Sequence, residues 1–273
     1  MRRSEFIKSV SLAAGVLVAQ GYLPLLGAEK KRQTVNSATG LNFLSEPGPI
    51  EPITGFLPQF SAILHGGMAG PFKARYELIQ WRGAAARSIN STGGSMEVSW
   101  QGGCLNTYEV RGETGSAHTV KTVLQCEGPN NAVASWVLHS GMEGNAAYGF
   151  EESGTCSGGM IKTKTAGHTQ QYAVTSPLLI ARWSLLPWIA SGALDRTPLT
   201  FDMLDDSAIR YNQSLRYSGE ISVPVKEGSV HLKSYLQTGR GIVPTHYLVD
   251  DQGRVQLITM SFVSWALNTL SGS

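Results

Sequence analysis

The serines that stand beside glycine are the first candidates for nucleophilic chemistry in this sequence. Ser140 occurs in H-S-G-M and Ser157 in C-S-G-G. Both fall where a short extended run gives way to a turn, whereas the serine of a G-x-S-x-G nucleophile elbow lies between a strand and a helix. The sequence contains no G-x-S-x-G. His139 directly precedes Ser140, but adjacency in sequence does not make a catalytic pair, so we interpret both serines as turn residues.

Two pairs of adjacent carboxylates, Glu151-Glu152 and Asp205-Asp206, could carry acid–base chemistry. Neighbouring residues on a strand point to opposite faces of a sheet, so neither pair forms a two-carboxylate site by itself. A glycosidase needs two carboxyl groups about 5 to 10 Å apart, which would have to come from different strands here. An extracytoplasmic enzyme that uses such carboxylates on carbohydrate is therefore our alternative hypothesis.

Side chains that could bind zinc or copper fall in one part of the sequence: Cys104, His118, Cys126, His139, Cys156 and His168. None of them has the close spacing of a zinc ribbon or a C-x-x-C motif. We therefore predict no metal site and no cofactor. In an oxidising compartment one pair of the three cysteines can form a disulfide and leave one thiol over, and the sequence does not show which pair.

Aromatic and polar side chains in two late segments are the candidates for ligand binding. One set surrounds the last predicted hairpins: Tyr235, Arg240, His246 and Tyr247. The other set lies in an apolar segment that precedes them: Leu179, Trp183 and Trp188. Side chains of these types can bind a lipid or a sugar, and they can also simply pack in a core. We predict that the two sets line a ligand-binding site.

Short alternating runs separated by glycine-rich turns predict that these candidates lie on an antiparallel sheet. Apolar and polar residues alternate from residue 74 onward, and turns such as Gly102-Gly103 separate the runs. The pattern changes at Ser176-Pro177, a good helix start, and predicts one apolar helix over about 177–191 that Pro187 should kink or end. We expect a mainly β fold, a curved antiparallel meander or half-barrel, with this helix packed on its concave face.

The end of the chain resembles a known architecture. The order of meander, tryptophan-bearing helix and hairpins ending in Y-L-V-D-D-Q-G-R (residues 247–254) is similar to bacterial secreted proteins of unknown function with a lipoprotein-carrier-like half-barrel. The resemblance covers about residues 172–267. It implies a concave apolar pocket for a lipid or another hydrophobic ligand, and it implies no catalytic residue.

The N-terminus has the three parts of an export signal. Arg2, Arg3 and Lys8 give a positive start, an almost uncharged stretch runs over 9–26, and small residues end at Ala28. The segment resembles a twin-arginine signal, although Ser4 stands where the second arginine of that pattern falls, so the general secretory route stays open. We predict a signal peptide over 1–28, an irregular tether over 29–58 and a single β domain over 59–273. A retained membrane anchor is the rival interpretation of the first segment.

Removal of the signal changes the charge of the protein. The whole chain has a formal net charge of +2, and its first 28 residues hold three basic residues and one acidic residue, which gives 3 − 1 = +2. The mature chain is therefore near neutral, which argues against nucleic acid as a partner.

We expect a periplasmic or cell-surface protein that binds a hydrophobic small molecule or lipid between sheet and helix without catalysis. The alternatives are the carbohydrate-active enzyme and a protein that packs its helix on an envelope partner.

Overall fold

The computed structural model describes residues 64–80, 93–112, 115–194, 197–225, 228–260 and 263–272. The predicted signal peptide and the predicted tether lie outside these residues. Within the described ranges, no helix has the length and apolar character needed to cross a membrane.

The first part of the chain forms hairpin after hairpin, as the alternating pattern predicts. Its strands are β1 (Leu64–His65), β2 (Phe72–Gln80), β3 (Gly94–Gln101), β4 (Cys104–Arg111), β5 (His118–Glu127), β6 (Ala132–Met142), β7 (Asn145–Ser157), β8 (Met160–Thr165) and β9 (His168–Ala173).

The second part begins with a short strand and the helical segment, and then returns to hairpins. Its elements are β10 (Leu179–Ala181), a 3₁₀ turn (Arg182–Ser184), the helix α1 (Leu185–Ala190), β11 (Leu199–Asp205), β12 (Ala208–Val225), β13 (Gly228–Thr238), β14 (Thr245–Val249), β15 (Val255–Met260) and β16 (Val263–Gly272).

All the described strands belong to one sheet, whose two runs meet where β16 pairs with β2. Neighbouring strands are antiparallel, except that β10 pairs parallel with β11 and β1 pairs parallel with β16. The two ends of the sheet are β9 and β10, and they do not pair with each other. The sheet curls far enough to bring β10 against β6. The prediction of a mainly β, curved and open antiparallel sheet is therefore confirmed.

The core lies on the concave face of the sheet and includes the helical segment. Trp136, Tyr76 and Trp265 are each at most 2% exposed and belong to the same buried cluster as Leu186 and Ile189 of α1. Burial of apolar side chains is the main source of a protein's stability, so this cluster holds the sheet and the helix together. The predicted packing of the helix against the sheet is confirmed.

The helix is shorter than predicted, and it starts later. Thr175 and Ser176 donate their backbone N–H groups to the buried carboxylate of Asp202, so Ser176 is not a helix cap. Leu179 to Ala181 then pair with β11 as a strand. Because α1 starts at Leu185, Pro187 lies in its first turn, where a missing N–H breaks no helical hydrogen bond. Pro187 therefore neither kinks nor ends the helix.

The predicted hairpin around residues 250–253 is present and is tied to the helix. One carboxylate oxygen of Asp250 accepts the backbone N–H groups of Gln252 and Arg254, at 3.0 and 2.9 Å. Gly253 has a φ of 71° and lies so near the end of α1 that a Cβ there would be 2.9 Å from the carbonyl oxygen of Ala190. Only glycine meets both demands without strain.

The three cysteines are free thiols in the structure. Cys126 is buried on the concave face with Leu124, whereas Cys104 alternates with the buried Leu105 and faces the other side of the sheet. Two cysteines whose side chains point apart cannot be bridged without backbone movement. Burial, with a smaller contribution from Cys104, raises the pKa of Cys126 to about 12, so its thiol stays protonated and unreactive.

Candidate binding site

The segment that covers the concave face is held by aromatic packing. Trp183 in the 3₁₀ turn meets Trp265 of β16 edge to face, with ring centroids 6.1 Å apart. Ser184 ends the strand β10 by donating its hydroxyl to the carbonyl of Ala181 at 2.8 Å. Leu185, Leu186 and Ile189 are then fully buried, because the turn directs them into the core.

Most of the predicted ligand contacts share this core. Leu179, Trp183, Tyr235 and Tyr247 are between 0 and 6% exposed and belong to one cluster, against which the half-buried Trp188 packs. These four side chains are therefore packed within the core, and the space between the sheet and the helical segment is filled by side chains around them.

The other two predicted contacts lie elsewhere. Arg240 is in an exposed turn, where its backbone carbonyl accepts a hydrogen bond from Gln213 at 3.1 Å. His246 is buried on the convex face, opposite to its neighbour Tyr247, and its Nδ1 lies 2.9 Å from the hydroxyl of Ser234. Alternation along β13 and β14 separates His246 from the concave cluster.

A chain of buried polar groups crosses the core beside the aromatic residues. The hydroxyl of Tyr247 donates to Oε1 of Gln237 at 2.8 Å, and the amide of Gln237 lies 3.4 Å from Oε1 of Gln213. The same amide approaches the sulfur of Met203 at 3.1 Å. Burial raises the pKa of Tyr247 well above its ordinary value, so its hydroxyl keeps its proton and remains a donor.

A small cavity lies where β10 and the 3₁₀ turn meet β4 and β5. We call this contact, between residues 179–184 and strands β4 to β6, the seam. The volume of the cavity is about 20 Å³, which is room for about one water molecule. Its walls are Leu105, Thr107, Thr122, Leu124, Ala181, Arg182, Trp183, Leu204 and Asp206. The lining is apolar at one side and carries hydroxyl, guanidinium and carboxylate groups at the other.

Arg182 organises the polar side of the seam. Its Nη1 lies 3.2 Å from Oδ1 of Asp205, and Arg210 reaches the other oxygen of the same carboxylate at 3.4 Å. The guanidinium carbon stands 4.9 Å from the ring centroid of Trp183, a cation–π distance. Burial is the largest single influence and acts to lower the pKa of Arg182, but the surrounding acidic groups, of which Asp205 contributes most, together outweigh it and the pKa is raised, so the side chain is always positive.

Asp206 is the carboxylate of the seam with a perturbed ionisation. Burial, followed by the charges of Glu109 and Asp205, raises its pKa to about 6, while Arg111 and Arg182 oppose the shift. Glu109 is only 2% exposed and forms an ion pair with Arg111 on the same strand. A carboxyl group that titrates near neutrality can donate a proton or a hydrogen bond, which an ordinary surface aspartate cannot do.

Of the polar residues of the seam, the sequence singles out only Asp205 and Asp206, as a carboxylate pair, and it does not identify Arg182 or Glu109. Arg182 is the only charged residue between 178 and 191, so its place inside an apolar run was a detectable signal. Glu109 was also detectable, because it takes the same alternation as Leu105 and Thr107 on the buried face of β4. The position of Asp206 beside Arg182 and Glu109 could not be detected from the sequence, because it depends on the curl of the sheet.

Among the described residues, no three His, Cys, Asp or Glu side chains converge as a metal ion would require.

Comparisons with known proteins support the fold and leave the activity open. No family model matches the chain, and no curated protein matches it. Among solved structures, the chain is similar to a beta-barrel-like protein of domain of unknown function DUF1849 from Brucella abortus, at 12% identity and a TM-score of 0.52. The match covers 74% of this chain and 98% of that one. At this identity the likeness shows a shared barrel-like fold.

Proposed function

We propose that this chain is an exported, periplasmic or cell-surface protein that binds a hydrophobic, lipid-like molecule at the seam. The observation that carries the proposal is the cavity beside Trp183, which combines apolar walls with the polar side chains of Arg182 and Asp206. Binding sites for small molecules are typically apolar pockets with a few placed polar groups. An amphiphile would lay its apolar part along Leu105 and Leu124 and its polar end toward Arg182.

The seam can open without disturbing the pairing of the described strands. The backbone of β10 pairs with β11, and its contact with β6 is made by packing. Separating residues 179–184 from β4 to β6 would therefore break no ladder hydrogen bond between the described strands. A cavity of about 20 Å³ is too small for a lipid, so binding requires this opening.

Export is the second part of the proposal. It rests on the basic start at Arg2 and Arg3, the uncharged stretch over 9–26 and the small residues that end at Ala28. Cleavage after residue 28 would leave a mature chain of near-zero net charge. Fractionation of the native host, followed by N-terminal sequencing of the protein, tests the cellular location and the cleavage site together.

Native mass spectrometry of the protein purified from its own envelope tests the binding function. We expect a mass above that of the polypeptide that is lost on denaturation, and saturable binding of a fluorescent fatty acid. Ala181→Leu should fill the cavity and weaken the fatty acid at least about tenfold. Ala173→Leu, on the exposed end of β9, is the matched control and should bind normally. A ligand-free spectrum without saturable binding would contradict the proposal.

A carbohydrate-active enzyme is the second candidate function. The specific observation in its favour is the pair Asp206 and Glu109, because the charge of Glu109 helps to raise the pKa of Asp206 to about 6. A glycosidase needs one protonated and one ionised carboxyl group. Release of reducing sugar from a panel of polysaccharides would support this candidate if Asp206→Asn abolished it. Turnover that survives Asp206→Asn would exclude this mechanism.

A further inference from the structure

Two hydrogen-bonded Ser–His pairs occur on the described strands, in contrasting surroundings. The hydroxyl of Ser140 lies 2.8 Å from Nε2 of His118. The hydroxyl of Ser234 lies 2.9 Å from Nδ1 of His246, and both of those residues are 1% exposed on the convex face. His118 is exposed and Ser140 is half-buried, so a reagent in solution can reach the first pair and not the second.

The strand register explains why Ser140 and His118 meet. His118 is the first residue of β5 and stands opposite Met142 of β6, while Val120, two residues later, stands opposite Ser140. Val120 belongs to the concave core, so all these side chains lie on the concave side. The separation of Ser140 and His118 by 22 residues hides the pair from a search for adjacent motifs.

The charges around His118 favour its basic form. Arg111 of β4 stands directly opposite His118 in the register. Burial and the charge of Arg111 lower the pKa of His118, while Glu109 acts in the other direction. A neutral imidazole at physiological pH has one ring nitrogen free to accept a proton, and the contact with Ser140 places Nε2 in that role.

The local backbone sets Ser140 apart from its neighbours on β6. The pairing of β6 with β7 shifts between Ser140 and Met142, so Gly141 has no partner residue on β7. Such bulges bend a strand and redirect the side chains beside them.

We propose that Ser140 and His118 form a nucleophile–base pair that accepts an acyl group from an activated ester. Ser140 Oγ attacks the carbonyl carbon while its proton passes to His118 Nε2. The bond from that carbon to the leaving oxygen then breaks, and the leaving alcohol takes the proton. Water attacks the acyl-serine in the same way and restores the free hydroxyl with release of a carboxylic acid. Arg111 supplies the positive charge beside the reacting groups.

This inference goes beyond the proposed binding function and does not depend on it. The pair lies at the end of β5 and β6, and neither of its residues lines the cavity of the seam. Loss of reactivity at Ser140 would leave fatty-acid binding intact, and filling of the cavity by Ala181→Leu would leave Ser140 reactive. The two proposals can therefore fail separately.

Labelling with a fluorophosphonate, followed by peptide mass mapping, tests the pair. We expect a phosphonylated adduct on Ser140 and none on the buried Ser234. Ser140→Ala should abolish the label, and His118→Gln should slow labelling about a hundredfold, the usual loss when a general base is removed. Ser222→Ala is the matched control, because Ser222 is an exposed strand residue that faces His231 across the β12–β13 ladder.

The pH dependence of labelling and the turnover of p-nitrophenyl acetate provide independent measurements. The labelling rate should rise with pH and reach its plateau below the pH expected for an ordinary histidine, because the pKa of His118 is lowered. Hydrolysis of p-nitrophenyl acetate should fall with Ser140→Ala and stay unchanged with Ser222→Ala. An absence of adduct on Ser140 in a protein shown by circular dichroism to be folded would overturn the proposal. An adduct that forms equally fast with His118→Gln would also overturn it.

Discussion

The sheet has two halves, β2 to β9 and β10 to β16, and they bury their side chains differently. Along β4, β5 and β8, buried and exposed residues alternate, so the concave face carries the core and the convex face meets solvent. In β14, every residue from Thr245 to Val249 is buried, and in β15 the same holds from Val255 to Thr259. Leu248 and Leu257 on the convex face are as inaccessible as Tyr247 on the concave face.

Because of this difference in burial, we expect the two halves to differ in how firmly they are held. Strands buried on both faces gain apolar contacts twice, so β14, β15 and the buried middle of β16 form the support on which Trp183 and α1 rest. The strands β4 and β5 belong to the half with a solvated convex face, and they supply the floor of the cavity at the seam. A ligand that opens the seam would therefore displace strands β4 to β6, which belong to the half with the solvated convex face.

Leu248→Ala gives the largest effect expected from this comparison. Leu248 is fully buried on the convex face of β14, and its truncation should lower the free energy of unfolding by about 3 kcal/mol. Val137 stands on the convex face of β6 and is 38% exposed, so Val137→Ala should change stability by less than about 0.5 kcal/mol. Urea denaturation of both variants measures the difference. Equal losses would show that the two convex faces do not differ.

Asp202→Ala should destabilise the protein nearly as much as Leu248→Ala. Asp202 binds the backbone of the segment that connects β9 of the first half to β10 of the second. Its carboxylate is fully buried and accepts backbone N–H groups from Thr175, Ser176 and Asn212. Loss of these charge-assisted hydrogen bonds should cost about 3 kcal/mol. Asp251→Asn, at an exposed turn position, is the control.

The same carboxylate predicts a pH dependence. Burial acts to raise the pKa of Asp202, but its hydrogen bonds to Asn212, Thr175 and Ser176 outweigh burial and the pKa is lowered. The stabilisation is therefore complete above the pKa of an unfolded aspartate and is lost as the pH falls through the lowered native pKa. Asp202→Asn should flatten the acid side of the stability curve. An unchanged curve would mean that the carboxylate does not hold the connecting segment.

Gly154→Ala tests the packing of the first half at its concave face. A Cβ at Gly154 would lie 2.1 Å from the ring of Trp136, which is itself buried and hydrogen-bonded to Glu152 at 3.3 Å. Displacing the indole should cost about 2 kcal/mol. Gly141→Ala, on the neighbouring strand β6 where the nearest atom is 3.8 Å away, should be nearly neutral. Thermal melts of the two variants that coincide would show that Trp136 moves freely.

The sequence predicts the first half of this molecule better than the second, for the same physical reason. Where one face is solvated, alternation has a period of two, and strands such as β3 and β4 can be recognised from it. Where both faces are buried, as in β14, that period disappears, and β14 was recognised only from the turn that follows it. The strand β10 was mistaken for helix, because a short apolar run looks the same in either structure.

The seam shows what one sequence leaves undetermined. The sequence predicts Trp183 as a ligand contact in the apolar segment, and the structure packs it against Trp265 of the sheet. The contact of Arg182 and Asp206 with strands β4 and β5 is long-range and follows from the curvature of the whole sheet. Local propensity and spacing carry no information on that curvature, so only the structure brings Asp206 together with Arg182.

Asp206→Asn gives the smallest expected effect and sharpens the comparison at the point where the halves meet. The pKa of Asp206 is raised to about 6, so folding favours its protonated form. Its contribution to stability is therefore complete at pH values below the pKa of an unfolded aspartate and is lost as the pH rises through about 6. Asn keeps the neutral state at every pH, so Asp206→Asn should stabilise the protein by about 1 to 2 kcal/mol at pH 8 and by almost nothing at pH 4. Asp251→Asn serves again as the exposed control, and urea midpoints across this pH range measure the effect. A gain that is equal at pH 4 and pH 8 would mean that Asp206 is not desolvated by the closed seam.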